Sequence, residues 1–186
     1  DMQYQNIHLI YFSPTHTSAK IAYAIAEALE ADTLSESDIT HEGLKELLSM
    51  GGNELVIVAV PVYGGRVAET AMDRIRMFKG NATPVIPVVV YGNRDYEDAL
   101  KELSDALSAQ GFVPVSAGAF IGEHSYSRKD MPIAAGRPDK DDLLKASEFG
   151  SEILKKLDNV LTLTDLQPLE VKGNFPYKVK GPSTPQ

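Results

Sequence analysis

The chain has no cysteine. That removes disulfides, thiolate nucleophiles, Fe–S clusters and zinc-thiolate sites from its chemistry. No apolar run approaches the roughly 18 residues of a membrane span. The first apolar run is short and lacks a cationic flank, so no signal peptide is expected. Cations are in the minority: 18 Lys and Arg stand against 26 Asp and Glu, a formal charge of −8. Nucleic-acid phosphates require clustered cations, so no nucleic acid and no membrane is expected as a partner, and the acidity is read as solubilising. A cytoplasmic location is the matching expectation. Several motifs are missing too. There is no Walker loop ending in Lys-Ser/Thr, no Gly-x-Gly-x-x-Gly after the first strand and no Gly-x-Ser-x-Gly elbow. A low-molecular-weight phosphatase would need a loop Cys. A receiver domain would place Asp where Val60-Pro61-Val62 stands.

What is present suits one domain with a sizeable core: 186 residues, 43% of them hydrophobic. The most informative stretch is Ser13-Pro14-Thr15-His16-Thr17-Ser18, between an apolar run and an alanine-rich one. Hydroxyls at a strand-to-helix corner make an anion site, because free N–H groups and the positive helix end favour a phosphate. The loop holds no Lys or Arg, and Lys20 is the nearest cation. The site would therefore work by dipoles. The alternative is a plain N-cap by Thr17 or Ser18.

Strand and helix patterns alternate along the chain. Residues 7–12, 33–39, 54–60, 84–91 and 112–121 read as strands, the third and fourth as buried parallel ones. Pro87 is awkward in a central strand. Residues 18–30, 42–50, 67–78, 96–110 and 139–157 read as helices. This is an α/β pattern, and the expected architecture is a doubly wound parallel sheet with right-handed crossovers. Ligands on such sheets bind beyond the carboxyl ends of the strands. The loops there are 13–18, 61–66, 91–95 and 122–138. The last exceeds the usual length of about 2–6 residues and is read as a lid, a docking face or a packed surface insertion. The Pro-, Gly- and Lys-rich tail, 168–186, either wraps back or leads to a further module.

Pro61-Val62-Tyr63-Gly64-Gly65-Arg66 and Tyr91-Gly92-Asn93-Arg94-Asp95-Tyr96 share one grammar, aromatic beside glycine. Two such loops at neighbouring strand ends can sandwich a planar ring. Plain turns, with Asn93 or Asp95 capping the next helix, are the alternative. His8 and His41 show no partner in the sequence and are read as structural.

Together with Gly118-Ala-Phe-Ile-Gly-Glu-His-Ser125 and Ile133-Ala-Ala-Gly-Arg-Pro-Asp139, these motifs make residues 5–158 resemble the flavodoxin superfamily. The resemblance is closer still to the flavodoxin-like domain of bacterial flavodoxin–ferredoxin fusion proteins. It implies a flavodoxin-like three-layer sandwich with a five-stranded parallel sheet of order 2-1-3-4-5. The FMN-binding domain would be 1–158, with 159–186 an extension or linker. By the resemblance, Ser13, Thr15, His16, Thr17 and Ser18 hold the FMN phosphate. Pro61, Val62, Tyr63, Gly64 and Gly65 run along one side of the isoalloxazine. Tyr91, Gly92, Asn93, Arg94, Asp95 and Tyr96 run along the other, and His124 is a candidate proton donor or a structural loop residue. The family has Gly at the position of His16, where a His adds a ring N–H or blocks the site. The implied function is electron transfer with a protein partner, a ferredoxin-like module first among them. The alternatives are an FMN-dependent NAD(P)H:quinone oxidoreductase and a binding domain that has lost flavin. Acidic surroundings would push the flavin potential down, and a Gly64-Gly65 peptide could turn toward the reactive ring nitrogen at little cost.

Overall fold

A computed structural model describes residues 4, 6–92, 95–122, 138–159, 162–163 and 166–179. β1 (Asn6–Tyr11) leads to α1 (Thr17–Ala28) and β2 (Thr33–Asp38), followed by a two-residue β3 (Leu48–Ser49). β4 (Glu54–Tyr63) turns back as β5 (Arg66–Val67), then come α2 (Glu69–Ile75) and β6 (Phe78–Lys79). β7 (Thr83–Tyr91), α3 (Ala99–Ala109), β8 (Phe112–Pro114), β9 (Gly118–Ile121) and α4 (Lys140–Asp158) complete the order. The main sheet runs β2-β1-β4-β7-β8, with β9 also paired to β7. All these pairings are parallel. Counting β8 and β9 as one position, this is the expected order.

Alternation sorts the strands' side chains into two cores. Ile7, Leu9 and Tyr11 of β1 pack with Ile21 and Ile25 of α1 and Ile153 of α4. Ile10, with Val56, Val58 and Val60 of β4, packs with Met72 and Ile75 of α2 and Leu103 of α3. Two helices cover each face, giving three layers.

The structure corrects three expectations. Residues 42–50 form no helix. Leu47 and Leu48 of that stretch are exposed, so a helix would have little apolar face to bury, and short helices without packing are marginal. Its end pairs instead with β6, through Leu48 N–H to Met77 O and Met50 N–H to Lys79 O, both under 3.0 Å (2.9 and 2.8 Å). The helix expected over 67–78 is only α2, because residues 66–67 are spent on a hairpin strand. The fifth strand breaks into β8 and β9. That break accommodates Pro87. Val85 O accepts from Val115 N–H (3.0 Å) and Tyr91 O from Gly122 N–H (2.8 Å), so odd residues of β7 aim their backbone toward the fifth strand. Pro87 shares that parity, and its missing donor falls opposite the gap between β8 and β9.

Candidate functional site

From β1 the chain moves outward to β2, then returns to β4 on the other flank of β1. The direction of winding therefore switches between β1 and β4, and on sheets of this kind ligands bind beyond the carboxyl ends of the strands at that switch point. The loop 13–18 stands on one side of it. Ser13 is fixed from both directions: its N–H donates to Thr40 Oγ1 (2.9 Å), and its Oγ accepts from Ala19 N–H (3.0 Å). The Thr15 and Thr17 hydroxyls lie 3.1 Å apart. His16 is the residue before α1 and takes φ +65°, the left-handed backbone that favours glycine. Its side chain caps nothing. His16 is exposed and lines an open groove of about 540 Å³ between α1 and α4.

Ser18 is the sharpest feature of this loop. It is 1% exposed, and its hydroxyl is buried with no hydrogen-bond partner among the described residues. The N–H groups of Thr17 and Ser18 likewise find no acceptor among them. A buried hydroxyl without a partner costs free energy, so the start of α1 carries donors with no acceptor among the described residues.

The second loop is tighter than the sequence suggested. Tyr63 pairs with Arg66 and Val62 with Val67, leaving Gly64 (φ +61°) and Gly65 (φ +78°) as a two-residue hairpin turn. Two consecutive positive φ values define a type I′ turn. A Cβ on Gly64 would meet no atom within 4 Å, so the crest of the hairpin presents bare backbone to open space. Val62 is 4% exposed and belongs to the core, which leaves only its backbone for a ligand. Pro61 and Tyr63 are half-buried.

The third loop lies against the hairpin. Asp98 N–H donates to Gly65 O (3.1 Å), and a Cβ on Gly65 would come within 2.4 Å of Glu97 Oε2. The Tyr91 and Tyr96 rings pack tilted, with centroids 5.3 Å apart. Gly92 is buried and Asp95 exposed. Asn93, Arg94 and His124 lie outside the described residues. The structure thus brings the hairpin and residues 95–98 into direct contact, at the carboxyl ends of the adjacent strands β4 and β7.

No family model and no curated protein matches the sequence. Solved structures do. Flavodoxin 1 from Bacillus cereus is similar with a TM-score of 0.54 at 14% identity, over 81% of this chain and 97% of that one. The Streptococcus pneumoniae TIGR4 flavodoxin reaches 0.51 at 17% identity, covering 81% of this chain and 99% of its own. A flavodoxin from the domain Archaea gives 0.50 at 15%, over 83% and 99%. The fold is flavodoxin-like. Identity this low carries the fold and assigns no residue a role. Among the described residues no helix is long and apolar enough to cross a membrane.

On this flavodoxin-like fold the hairpin and the loop at 95–98 are held by side chains elsewhere in the chain. Glu102 of α3, nearly buried, accepts from Arg66 Nε (2.9 Å) and Nη2 (2.7 Å) and from Val67 N–H (2.8 Å). Its bonds keep the Arg66 guanidinium firmly protonated. Asp98 precedes α3, yet its side chain does not cap that helix. Its two oxygens instead accept from Asn174 N–H (2.9 Å) and Lys178 N–H (2.7 Å) of the tail. Those donors hold its carboxyl below the usual carboxylate range. The tail wraps back, as one of the two expectations had it. No local pattern announces these pairings, because the partners lie 76 and 80 residues apart. His8 also has partners: its ring nitrogens sit 2.7 Å from Ser35 Oγ and Ser37 Oγ.

Proposed function

We propose that this chain binds FMN at the switch point between β1 and β4 and exchanges electrons with a protein partner, a ferredoxin-like module being the expected kind. The carrying observation is the buried hydroxyl of Ser18, which, like the N–H groups of Thr17 and Ser18 beside it, has no hydrogen-bond partner among the described residues. Neutral donors at a helix start suit a phosphate monoester. Left-handed His16 gives the loop the turn that a glycine would. The bare crest of Gly64, with the tyrosines 63, 91 and 96 nearby, suits the edge and faces of a planar ring. FMN, when bound, supplies the electron transfer. Ser13, Thr15, His16, Thr17 and Ser18 would hold its phosphate; Pro61–Gly65 and residues 91–96 would orient its ring.

The test is a titration of the purified chain with FMN and with riboflavin, followed by visible absorbance and flavin fluorescence. FMN should bind, and riboflavin should bind at least about tenfold more weakly, since a hydrogen bond to a charged group contributes about 1.5–3 kcal/mol. No uptake of FMN refutes the reading, and equal affinities refute the role of the cradle. Mixing the loaded protein with NADH or NADPH then separates the two redox roles: a carrier bleaches slowly, a reductase fast.

A further inference from the structure

The tail from Val171 to Val179 crosses the ring-side loops as a strap. It is anchored by the two tail N–H groups on Asp98, by Tyr177 OH on Asp105 (2.6 Å), and by Arg66, which donates to Lys178 O (2.7 Å) and lies over the Tyr177 ring at 5.0 Å. Val171 packs against the core on the α2–α3 side. These anchors reach the hairpin and α3 at once. The strap also brings charge. Lys172 Nζ sits 2.7 Å from Asp95 and 4.5 Å from the centre of the Tyr96 ring. Lys178 Nζ sits 2.8 Å from Glu97, the residue packed under Gly65.

We infer that residues 171–179 are a positioning strap, which holds the hairpin and residues 95–98 together and neutralises the carboxylates of that loop with Lys172 and Lys178. The inference rests on the reading that flavin binds here and goes beyond it: this chain's own tail tunes the charge around the ring. Half-exposed ion pairs add little to stability. Their effect on a neighbouring charge is a separate matter, because the ammonium groups cancel two negative charges where the reduced ring becomes more negative. Losing Lys172 and Lys178 therefore disfavours the reduced state, whereas loss of mere packing has no preferred sign.

The experiment uses the full chain with K172Q/K178Q and, separately, D98N. Asp98→Asn spares α3, whose N-terminus the side chain does not cap, but sets an amide N–H against a tail N–H. Spectroelectrochemical titration of the FMN-loaded proteins should show a more negative midpoint for K172Q/K178Q, by an amount that shrinks as salt is raised. D98N should move it in the same direction. An unchanged or more positive midpoint in K172Q/K178Q overturns the tuning role. Amide hydrogen exchange on the flavin-free chain reads the docking separately. Asn174 and Lys178 should be protected in the unaltered protein and lose protection in D98N; unprotected amides in the unaltered protein overturn the strap itself. A chain that takes up no FMN overturns the flavin reading and the tuning with it, but leaves that exchange result standing.

Discussion

The hairpin offers a comparison in which two neighbouring glycines should respond differently to one methyl group. Gly64 and Gly65 both hold positive φ, +61° and +78°. Alanine in that region costs about 1–2 kcal/mol, and about 0.4–1 kcal/mol is recovered because alanine restricts the unfolded chain. At Gly64 nothing else is touched, so Gly64→Ala should destabilise by about 0.5–1 kcal/mol. At Gly65 the new Cβ would stand 2.4 Å from Glu97 Oε2 and 3.0 Å from Glu97 Cβ. A rotamer change moves the carboxylate but not the Glu97 Cβ, so the loop backbone must shift as well. That shift puts at risk the Lys178–Glu97 pair, about 0–1 kcal/mol, and the Asp98 N–H to Gly65 O bond, about 1 kcal/mol. Gly65→Ala should therefore cost about 2–3 kcal/mol. The gap between the variants is about 1–2 kcal/mol, a factor of roughly 5–30 in the unfolding equilibrium. Urea denaturation of the flavin-free proteins measures it. Gly64→Asn should recover part of the Gly64→Ala loss, since Asn tolerates the left-handed region. Equal costs at the two positions, or a larger cost at Gly64, would refute the packing of residues 95–98 against the hairpin.

Glu102→Ala should be the most damaging of the substitutions considered, at about 3–5 kcal/mol by denaturation. It strands a largely buried guanidinium and the Val67 N–H together. Ser18→Ala should leave the flavin-free protein as stable as before or slightly more so, because it removes a buried hydroxyl with no partner. The same variant should weaken FMN about tenfold or more in a fluorescence titration, and a stability loss without an affinity loss would contradict the cradle. His8 gives a pH signature. Burial holds its pKa below 6.5 in the folded chain, against an opposing pull from Glu54 and Glu36. The unfolded chain therefore binds the proton first. The stability contributed by neutral His8 is complete above about pH 6.5 and declines as pH falls toward the folded pKa. Denaturation at pH 7.5 and 5.5 should show a smaller loss in His8→Gln than in the unaltered chain.

The framework was legible because it rests on local signals. The unbroken apolar run of β4 and the period of α1 declare their own burial, and strand-helix alternation restricts the topology to a few choices. Loop 13–18 stood out for the same reason: its hydroxyls lie within six consecutive residues. What escaped was settled by distant partners. Residues 42–50 carry helix formers, yet the Arg74 guanidinium donates to the carbonyls of Ile39 and Thr40 just before them, and β6 claims the backbone at their end. Gly64-Gly65 is a recognisable two-residue turn, but a hairpin strand was not expected between a parallel strand and its helix. Glu102 and the tail lysines carry no motif. Only the fold brings an acidic loop and a basic tail to one place.

The distribution of charge about the switch point bears on what such a site can control. The proposed cradle at residues 13–18 contains no Lys or Arg, while Lys172 and Lys178 pair with Asp95 and Glu97 beside the hairpin. A cation beside the phosphate would strengthen binding of both redox states alike, because the phosphate charge is the same in each. It would raise affinity and leave the potential unmoved. A cation beside the ring acts on the difference between the states, and only a difference in binding shifts the equilibrium between them. On the proposed flavin reading, neutral donors at one end and tail-borne lysines at the other would separate the two tasks: the cradle would set how tightly the group is held, and the strap how readily it is reduced. Substitutions in the cradle should then change affinity without changing potential, and substitutions in the strap should do the reverse.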